Sequence, residues 1–218
     1  MKEKIVHSAT GITILGGAKV KKRQITRAMD SAPFLVAADS GAETALKMGL
    51  MPDAVIGDMD STTDLETRVP KDRLHRITEQ TSTDFEKCLY SVTAPFVIAL
   101  GVIGSRLDHS LATLNALSTC REYPVIALGG KDLVFLCPPT LTIKLPVDTR
   151  LSLFPLGEVT GQSVGLEWPI EGLHFSPLGR VGTSNNTVAS VVELHFDAPR
   201  MLVILPRKHL DAVLEAVL

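Results

Sequence analysis

The stretch PDAVIGDMDS, residues 52 to 61, decides the fold class. Ala54-Val55-Ile56 is an apolar run of the length of a buried strand, and two carboxylates, Asp58 and Asp60, follow it directly. Similar runs recur as ITILGG at 12, FLVAAD at 34, LHRIT at 74, PFVIALG at 95 and PVIALGG at 124. Helical spacing separates several of them, notably in DFEKCLYSV and LDHSLATLNALSTCREY. This alternation predicts an α/β domain with a mostly parallel sheet covered on both faces.

The residue composition of the sequence changes after about residue 137. Short β-branched runs are then separated by proline- and glycine-rich turn signals, which predicts an all-β domain, most simply a small antiparallel sandwich. The tail RKHLDAVLEAVL reads as an amphipathic helix. We therefore expect an α/β domain over residues 1–136 and a β-sandwich domain with a C-terminal helix over residues 137–218.

Composition narrows the function classes. The chain has 218 residues, of which 45% are hydrophobic and 21% charged, so an ordinary globular core is expected. A net charge of -2 provides no basic field for nucleic acid. The three cysteines form no CxxC pair, and no segment reaches 18 apolar residues, so we expect a cytoplasmic protein without a disulfide frame or a membrane span.

Charged side chains follow the predicted strands where each strand ends. They are Asp39, Asp58, Asp60, Asp84, Arg106 and Asp108. Ligands of open parallel sheets bind outside the carboxyl ends of the strands, so these groups should meet at one edge. Two like unit charges about 6 Å apart repel by roughly 3 kcal/mol at an effective dielectric of 20. A cation relieves this repulsion, and magnesium prefers carboxylates together with substrate phosphates. The pattern predicts a magnesium-phosphate site, with Arg106 available to phosphate oxygens.

Each of these elements also has a purely structural interpretation. Asp58 to Ser61 could be turn chemistry or a helix cap. Thr83 and Glu86 have the spacing of a capping box, which would place Asp84 favourably at a helix start. Arg106 and Asp108 could pair only with each other at the surface. Gly16-Gly17 is a weak phosphate-loop signal because neither GxGxxG nor GxxxxGK[ST] is present. The coincidence of these residues on separate loops favours the functional interpretation.

Six blocks then occur in one order along the chain: AADSGA (37 to 42), PDAVIGDMDS (52 to 61), EQTSTDFEKCL (79 to 89), GVIGSRLDHSLATL (101 to 114), GLEWPI (165 to 170) and GTSNN (182 to 186). This order resembles the thiamine pyrophosphokinases over nearly the whole chain. The resemblance implies transfer of the pyrophosphoryl group of ATP to thiamine, giving thiamine diphosphate and AMP with Mg²⁺. It also implies an α/β domain, a β-sandwich, and a homodimer with shared active sites.

The resemblance further implies roles for individual residues. Those expected around the magnesium and phosphates are Asp39, Asp58, Asp60 and Asp84, and those expected to serve ATP are Gln80, Thr83, Arg106 and Asp108. Trp168 would pack on thiamine, with Ser184 and Asn185 close by. Asp84 is our candidate for the base that accepts the hydroxyl proton. A competing interpretation makes Trp168 a sandwich-core anchor beside Pro169.

The chain departs from the family pattern at three places. Ser105 stands where a second glycine is usual, Glu79 stands where Asp is common, and the final helix extends beyond the usual last strand. Three rival functions also stay open. They are pyrophosphate transfer to another hydroxymethyl heterocycle such as a pterin, a glycosyltransferase that uses Asp58-Met59-Asp60, and a sensor that binds thiamine or a nucleotide without turnover.

Overall fold

The computed structural model describes residues 4–60 and 64–218, which fall into two compact units. The first unit ends at Gly130, and the second is Lys131–Leu218. The predicted boundary after residue 136 would cut Asp132–Leu136 away from the strand it pairs with, Met201–Pro206. Among the described residues, no helix is long and apolar enough to cross a membrane.

The first unit alternates strands and helices as the sequence predicts. Its strands are β1 (Val6–His7), β2 (Ile12–Leu15), β3 (Phe34–Ala38), β4 (Ala54–Gly57), β5 (Leu74–Arg76), β6 (Val92–Thr93), β7 (Val97–Leu100) and β8 (Val125–Leu128). Its helices are α1 (Lys22–Met29), α2 (Gly41–Lys47), α3 (Leu65–Arg68), α4 (Asp84–Ser91) and α5 (Leu107–Thr119). A 3₁₀ turn, Lys71–Arg73, precedes β5.

The main sheet of this unit is parallel, in the order β8-β7-β2-β3-β4-β5. Its strands β2, β4, β7 and β8 are buried along their whole length, as expected when helices cover both faces of a parallel sheet. The strand order reverses at β2, which lies between β3 and β7. A crevice at the carboxyl ends of strands is expected at such a switch point.

Glycines allow the strand ends to approach one another at this crevice. A Cβ on Gly16 would lie 2.5 Å from the carbonyl oxygen of Gly101, which itself has φ +67°. A side chain at either position would therefore clash with backbone or force strain. The two loops that follow β2 and β7 are held together where the crevice opens.

The second unit is built from antiparallel strands, which confirms the predicted combination of an α/β and an all-β part. Its strands are β9 (Asp132–Leu136), β10 (Thr140–Lys144), β11 (Arg150–Pro155), β12 (Val159–Val164), β13 (His174–Phe175), β14 (Gly182–Asn186), β15 (Val191–Phe196) and β16 (Met201–Pro206). Strands β14-β11-β16-β9 and strands β10-β15-β12-β13 pair in those two orders. Burial alternates along β10 and β15, so one face of their sheet lies on the core.

The chain ends in the 3₁₀ turn Arg207–His209 and the helix α6 (Leu210–Val217). Leu210, Val213 and Leu214 are buried, and the helix contacts β10. The amphipathic helix predicted for the tail is therefore present, and its apolar face packs within the second unit.

Candidate functional site

A cavity of about 490 Å³ lies at the carboxyl ends of the strands of the first unit. The loops after β2 and β7 contribute Gly16, Gly17 and Gly101 to its wall. The predicted site residues that line it are Asp58, Gln80, Thr83, Asp84 and Arg106. The sheet edge chosen from the sequence is thus the edge that carries the cavity.

Asp39 lies at the end of β3, where the backbone is held in an unusual conformation. Its φ is +40°, its amide donates to the Ile56 carbonyl at 2.9 Å, and its carbonyl accepts from the Ala42 amide at 2.9 Å. The residue is only 2% exposed, and its Oδ1 has no hydrogen-bond partner among the described residues. A buried carboxylate oxygen without a partner is costly, so this atom is suited to contact a cation or a hydrogen-bond donor.

Asp58 and Asp60 follow β4 and complete a group of acids. One carboxylate oxygen from each of Asp39, Asp58 and Asp60 lies within 4.8 Å of the others. The Asp60 amide also donates to Asp58 Oδ1 at 3.3 Å, so the turn chemistry considered above is present alongside the cluster. Ser61 lies outside the described residues. Three converging carboxylates, one of which has a buried and unpartnered oxygen, fit a hard divalent cation such as Mg²⁺.

Gln80 and Glu79 belong to the loop that leads into α4. Gln80 Nε2 donates to Asp58 Oδ2 at 2.9 Å, and this hydrogen bond is the main reason that the pKa of Asp58 is lowered. Glu79 accepts from the Thr81 amide at 2.7 Å, from Tyr90 Oη at 3.1 Å and from both the amide and hydroxyl of Ser82. Hydrogen bonds from Ser82 and Thr81 hold the pKa of Glu79 far below its usual range. Glu79, which stands where Asp is common in the family, therefore stabilises this loop through its hydrogen bonds.

Thr83 and Asp84 begin α4, and the capping box is present. The Glu86 amide donates to Thr83 Oγ1 at 3.3 Å, and the Thr83 amide donates to Glu86 Oε2 at 2.8 Å. Thr83 thus fixes the helix start that aims Asp84 into the cavity. Burial raises the pKa of Asp84, opposed by its hydrogen bond with Lys87.

Lys87 was missed in the sequence analysis. Its side chain is 2% exposed, and Nζ lies 3.0 Å from Asp84 Oδ1 and 3.6 Å from Asp58 Oδ2. Burial works to lower the pKa of Lys87, but the hydrogen bond and charge of Asp84 and the charge of Asp58 raise it overall. The signal was the spacing of three residues between Asp84 and Lys87 on one predicted helix, which places them on one face.

Arg106 and Asp108 lie at the N-terminal end of α5. Arg106 Nη2 donates to Asp108 Oδ2 at 2.7 Å, and their side chains are 68% and 66% exposed. This is the surface pair considered as the alternative, although Arg106 also lines the cavity. Mutual pairing raises the pKa of Arg106 and lowers that of Asp108.

Trp168, Ser184 and Asn185 lie in the second unit. Trp168 is 57% exposed, which excludes the core-anchor interpretation. Ser184 is exposed and has φ +62°, whereas Asn185 is buried at 7% exposure. The side chain of Asn185 is bonded to the backbone of Trp168 through Nδ2 to the carbonyl, at 2.7 Å, and through Oδ1 to the amide, at 3.1 Å.

Both units match models of one family. Residues 25–126 match "Thiamin pyrophosphokinase, catalytic domain", and residues 140–201 match "Thiamin pyrophosphokinase, vitamin B1 binding domain". The chain belongs to the thiamin pyrophosphokinase family. This membership confirms the family predicted from the six sequence blocks.

Individual thiamin pyrophosphokinases are distant in sequence and similar in fold. Thiamine pyrophosphokinase 1 of Oryza sativa subsp. japonica is 23% identical over 192 residues, which cover 79% of this chain and 72% of that protein. Thiamin pyrophosphokinase 1 of Caenorhabditis elegans is 27% identical over 186 residues, 76% of each chain. The structure of thiamin pyrophosphokinase from Candida albicans superposes with a TM-score of 0.77 at 16% identity, covering 94% of this chain and 95% of that one.

Proposed function

We propose that this chain transfers the pyrophosphoryl group of ATP to the hydroxyl group of thiamine, giving thiamine diphosphate and AMP. One observation carries the proposal: a cavity lined by Asp58 and Asp84, together with Lys87 and Arg106, lies at the strand-order reversal of a unit that matches the catalytic-domain model. The match of the second unit to a vitamin B1 binding domain favours thiamine over a pterin as acceptor. A glycosyltransferase with an Asp58-Met59-Asp60 metal site leaves both matches unexplained.

Asp39, Asp58 and Asp60 would hold Mg²⁺ in this proposal. A magnesium ion at these oxygens would neutralise phosphate charge and orient the polyphosphate for in-line displacement. The support from this chain is the convergence of the three carboxylates together with the buried, unpartnered Oδ1 of Asp39. Gln80, which donates to Asp58 Oδ2, orients that carboxylate.

Asp84 is placed differently from the other three acids. It lies outside the group of three carboxylates and is held by Lys87 Nζ at 3.0 Å. Its raised pKa makes it a better proton acceptor than an ordinary aspartate. We assign Asp84 to the thiamine hydroxyl, whose proton it accepts as the oxygen attacks the β-phosphorus, and Lys87 to holding the carboxylate in place.

Arg106 would serve the ATP side of the cavity. Its guanidinium can donate two parallel hydrogen bonds to phosphate oxygens. Its partner Asp108 is an exposed carboxylate, so replacing that contact with a contact to phosphate costs little free energy. Before ATP binds, Asp108 would orient Arg106, and Thr83 would present the start of α4 to the nucleotide. In the resting protein the pair keeps Arg106 at the cavity wall.

Trp168 would bind thiamine in the second unit. Thiamine carries a fixed positive charge on an aromatic ring, and an exposed indole offers a face for such a cation. Ser184, which is also exposed, supplies a hydroxyl on β14. We further propose a homodimer with shared active sites and a cytoplasmic location; the free thiols of Cys88, Cys120 and Cys137 suit a reducing compartment.

The decisive experiment incubates the purified protein with ATP, Mg²⁺ and thiamine and resolves the products. AMP and thiamine diphosphate in equal amounts are expected, with no product when EDTA is added. A hydroxymethylpterin replaces thiamine in a parallel reaction and should give no AMP. ADP with thiamine monophosphate would overturn the proposed transfer, and thiamine binding without turnover would favour the sensor.

A further inference from the structure

Trp168 combines an exposed side chain with a tightly held backbone. Trp168 is 57% exposed, so the core does little to fix its side chain. The segment around it is nevertheless bonded to β14 and the residues that follow: the Glu167 amide donates to the Asn186 carbonyl at 2.9 Å, and the Val188 amide donates to the Gly165 carbonyl at 2.9 Å. Hydrogen bonds therefore hold the backbone of this segment in place, whereas the side chain of Trp168 is not held by the core.

The pairing changes character at Trp168 itself. There the partner is the side-chain amide of Asn185, which receives the Trp168 amide on Oδ1 at 3.1 Å and gives Nδ2 to the Trp168 carbonyl at 2.7 Å. One amide thus imitates a strand neighbour by donating to and accepting from the same residue. The two opposite bonds also fix which end of the amide is oxygen, because an inverted amide would place donor against donor.

The chain after Trp168 restricts the same residue. Pro169 has no backbone N–H for further pairing, and it confines the preceding residue to extended conformations. With φ and ψ restricted in this way and the peptide groups held by Asn185, the rotation of the indole about its two side-chain torsions is the main freedom left.

Asn185 is poorly placed to contact a ligand directly. It is 7% exposed, and Oδ1 also accepts from the Asn186 amide at 2.8 Å. Most of the hydrogen-bonding capacity of its amide is therefore used inside the unit. Its neighbour Ser184, by contrast, is exposed.

We propose that Asn185 is a positioning residue, which presets the indole of Trp168 for an aromatic cation by holding the Trp168 backbone through its side-chain amide. The part about the cation rests on the proposed function, because that function assigns Trp168 to thiamine. Preorganisation of this kind raises affinity by removing the cost of ordering the binding group. Loss of Asn185 should therefore weaken thiamine binding without touching the ATP side of the reaction.

The test uses the full chain and its single tryptophan as the probe. In the ligand-free protein, Asn185→Ala should lower the steady-state anisotropy of tryptophan emission and increase its quenching by acrylamide. In kinetics, the same variant should raise KM for thiamine about tenfold, equivalent to about 1.4 kcal/mol, with KM for ATP unchanged. A purely structural role would lower the yield of folded protein or kcat without this pattern.

Asn186→Ala is the matched control, because the hydrogen bonds shown for Asn186 all use its backbone. It should match wild type in anisotropy and in both KM values. If Asn185→Ala does not fold, Asn185→Asp keeps the oxygen that accepts from the Trp168 amide but sets a second oxygen against the Trp168 carbonyl and adds a buried charge. It should then change the anisotropy and the KM for thiamine in the same direction as Asn185→Ala.

Trp168→Ala separates the two proposals. Unchanged anisotropy in the folded Asn185 variants overturns the positioning role. A second result would also overturn the positioning role: Asn185→Ala makes the indole more mobile but leaves KM for thiamine unchanged, while Trp168→Ala loses thiamine affinity. Thiamine binding would then need the indole without needing Asn185 to hold it in place. If Trp168→Ala keeps wild-type affinity for thiamine, the assignment of Trp168 to thiamine fails, and the use of Asn185 for the substrate fails with it.

Discussion

Two ion pairs contribute to the same cavity and differ in burial. Lys87 is 2% exposed and lies between Asp84 and Asp58. Arg106 and Asp108 are 68% and 66% exposed and contact each other at the rim. Exposed pairs contribute little to stability, whereas a buried charge whose partner is removed is strongly destabilising.

This difference separates two tasks that a phosphate-transfer site must perform. Lys87 is already committed to two carboxylates, so its charge holds the acids in place. Arg106 is paired with an exposed carboxylate, so we propose that its charge is available to the phosphates of ATP. We therefore expect substitutions at the buried pair to affect folding and those at the exposed pair to affect nucleotide binding.

The largest expected effect concerns Asp58, which lies near Lys87 and also belongs to the group of three carboxylates. Asp58→Asn should reduce turnover on the order of 10³-fold, the size seen when a single transition-state electrostatic contact is lost. Without Mg²⁺ the thermal midpoint should change little, because one repelling charge and one attraction to Lys87 are lost together. Mg²⁺ should raise the wild-type midpoint by mass action, and this rise should shrink in the variant. Wild-type turnover in Asp58→Asn would contradict the metal assignment.

The buried lysine gives the next largest effect. Lys87→Met keeps a long apolar stem but leaves Asp84, whose side chain is 35% exposed, without its partner, and should lower the free energy of unfolding by about 2 kcal/mol. Urea denaturation followed by circular dichroism measures this change. Lys47→Met is the matched control, since Lys47 is also paired with a helical acid, Glu43, but is 72% exposed. Equal losses of unfolding free energy in Lys87→Met and Lys47→Met would contradict the expectation that the buried pair contributes more to stability than the exposed pair.

The sequence predicted the placement of the acids and of Arg106, but not the buried Lys87 that contacts Asp84 and Asp58. Asp39, Asp58 and Asp60 were found because strand ends can be read from apolar runs, and parallel strands bring their ends to one edge. Lys87 was missed because its burial depends on how α4 packs. The use of Asn185 was equally hidden, because its contact with Trp168 joins residues 17 apart in the chain. The boundary expected after residue 136 stays a prediction; it was placed where the residue composition changes, and the pairing of β9 with the distant strand β16 could not be read from that change.

Substitutions in the exposed pair Arg106–Asp108 should have a smaller effect, which is confined to ATP binding. Arg106→Ala should raise KM for ATP about tenfold and leave the urea midpoint unchanged, because the guanidinium is exposed in the resting protein. Arg106→Lys keeps the charge but loses the bidentate fork, and should lie between wild type and Arg106→Ala. High salt should narrow the differences among the three proteins. A loss of stability comparable to that of Lys87→Met would make Arg106 a structural residue instead.

The smallest expected effect concerns the loop that carries Gln80, and it depends on pH. The hydrogen bonds from Ser82 and Thr81 lower the pKa of Glu79 from its ordinary 4.5. A carboxylate with a lowered pKa contributes stability that is present above its unfolded value and is lost as the pH falls through its folded value. Glu79→Gln should therefore lower the thermal midpoint at neutral pH, and its difference from wild type should shrink as the pH falls below 4.5. Thermal melts across that range test this sign, with the exposed Glu215→Gln as a control that should follow wild type throughout. A difference that is constant with pH would mean that Glu79 acts through its shape rather than through its charge.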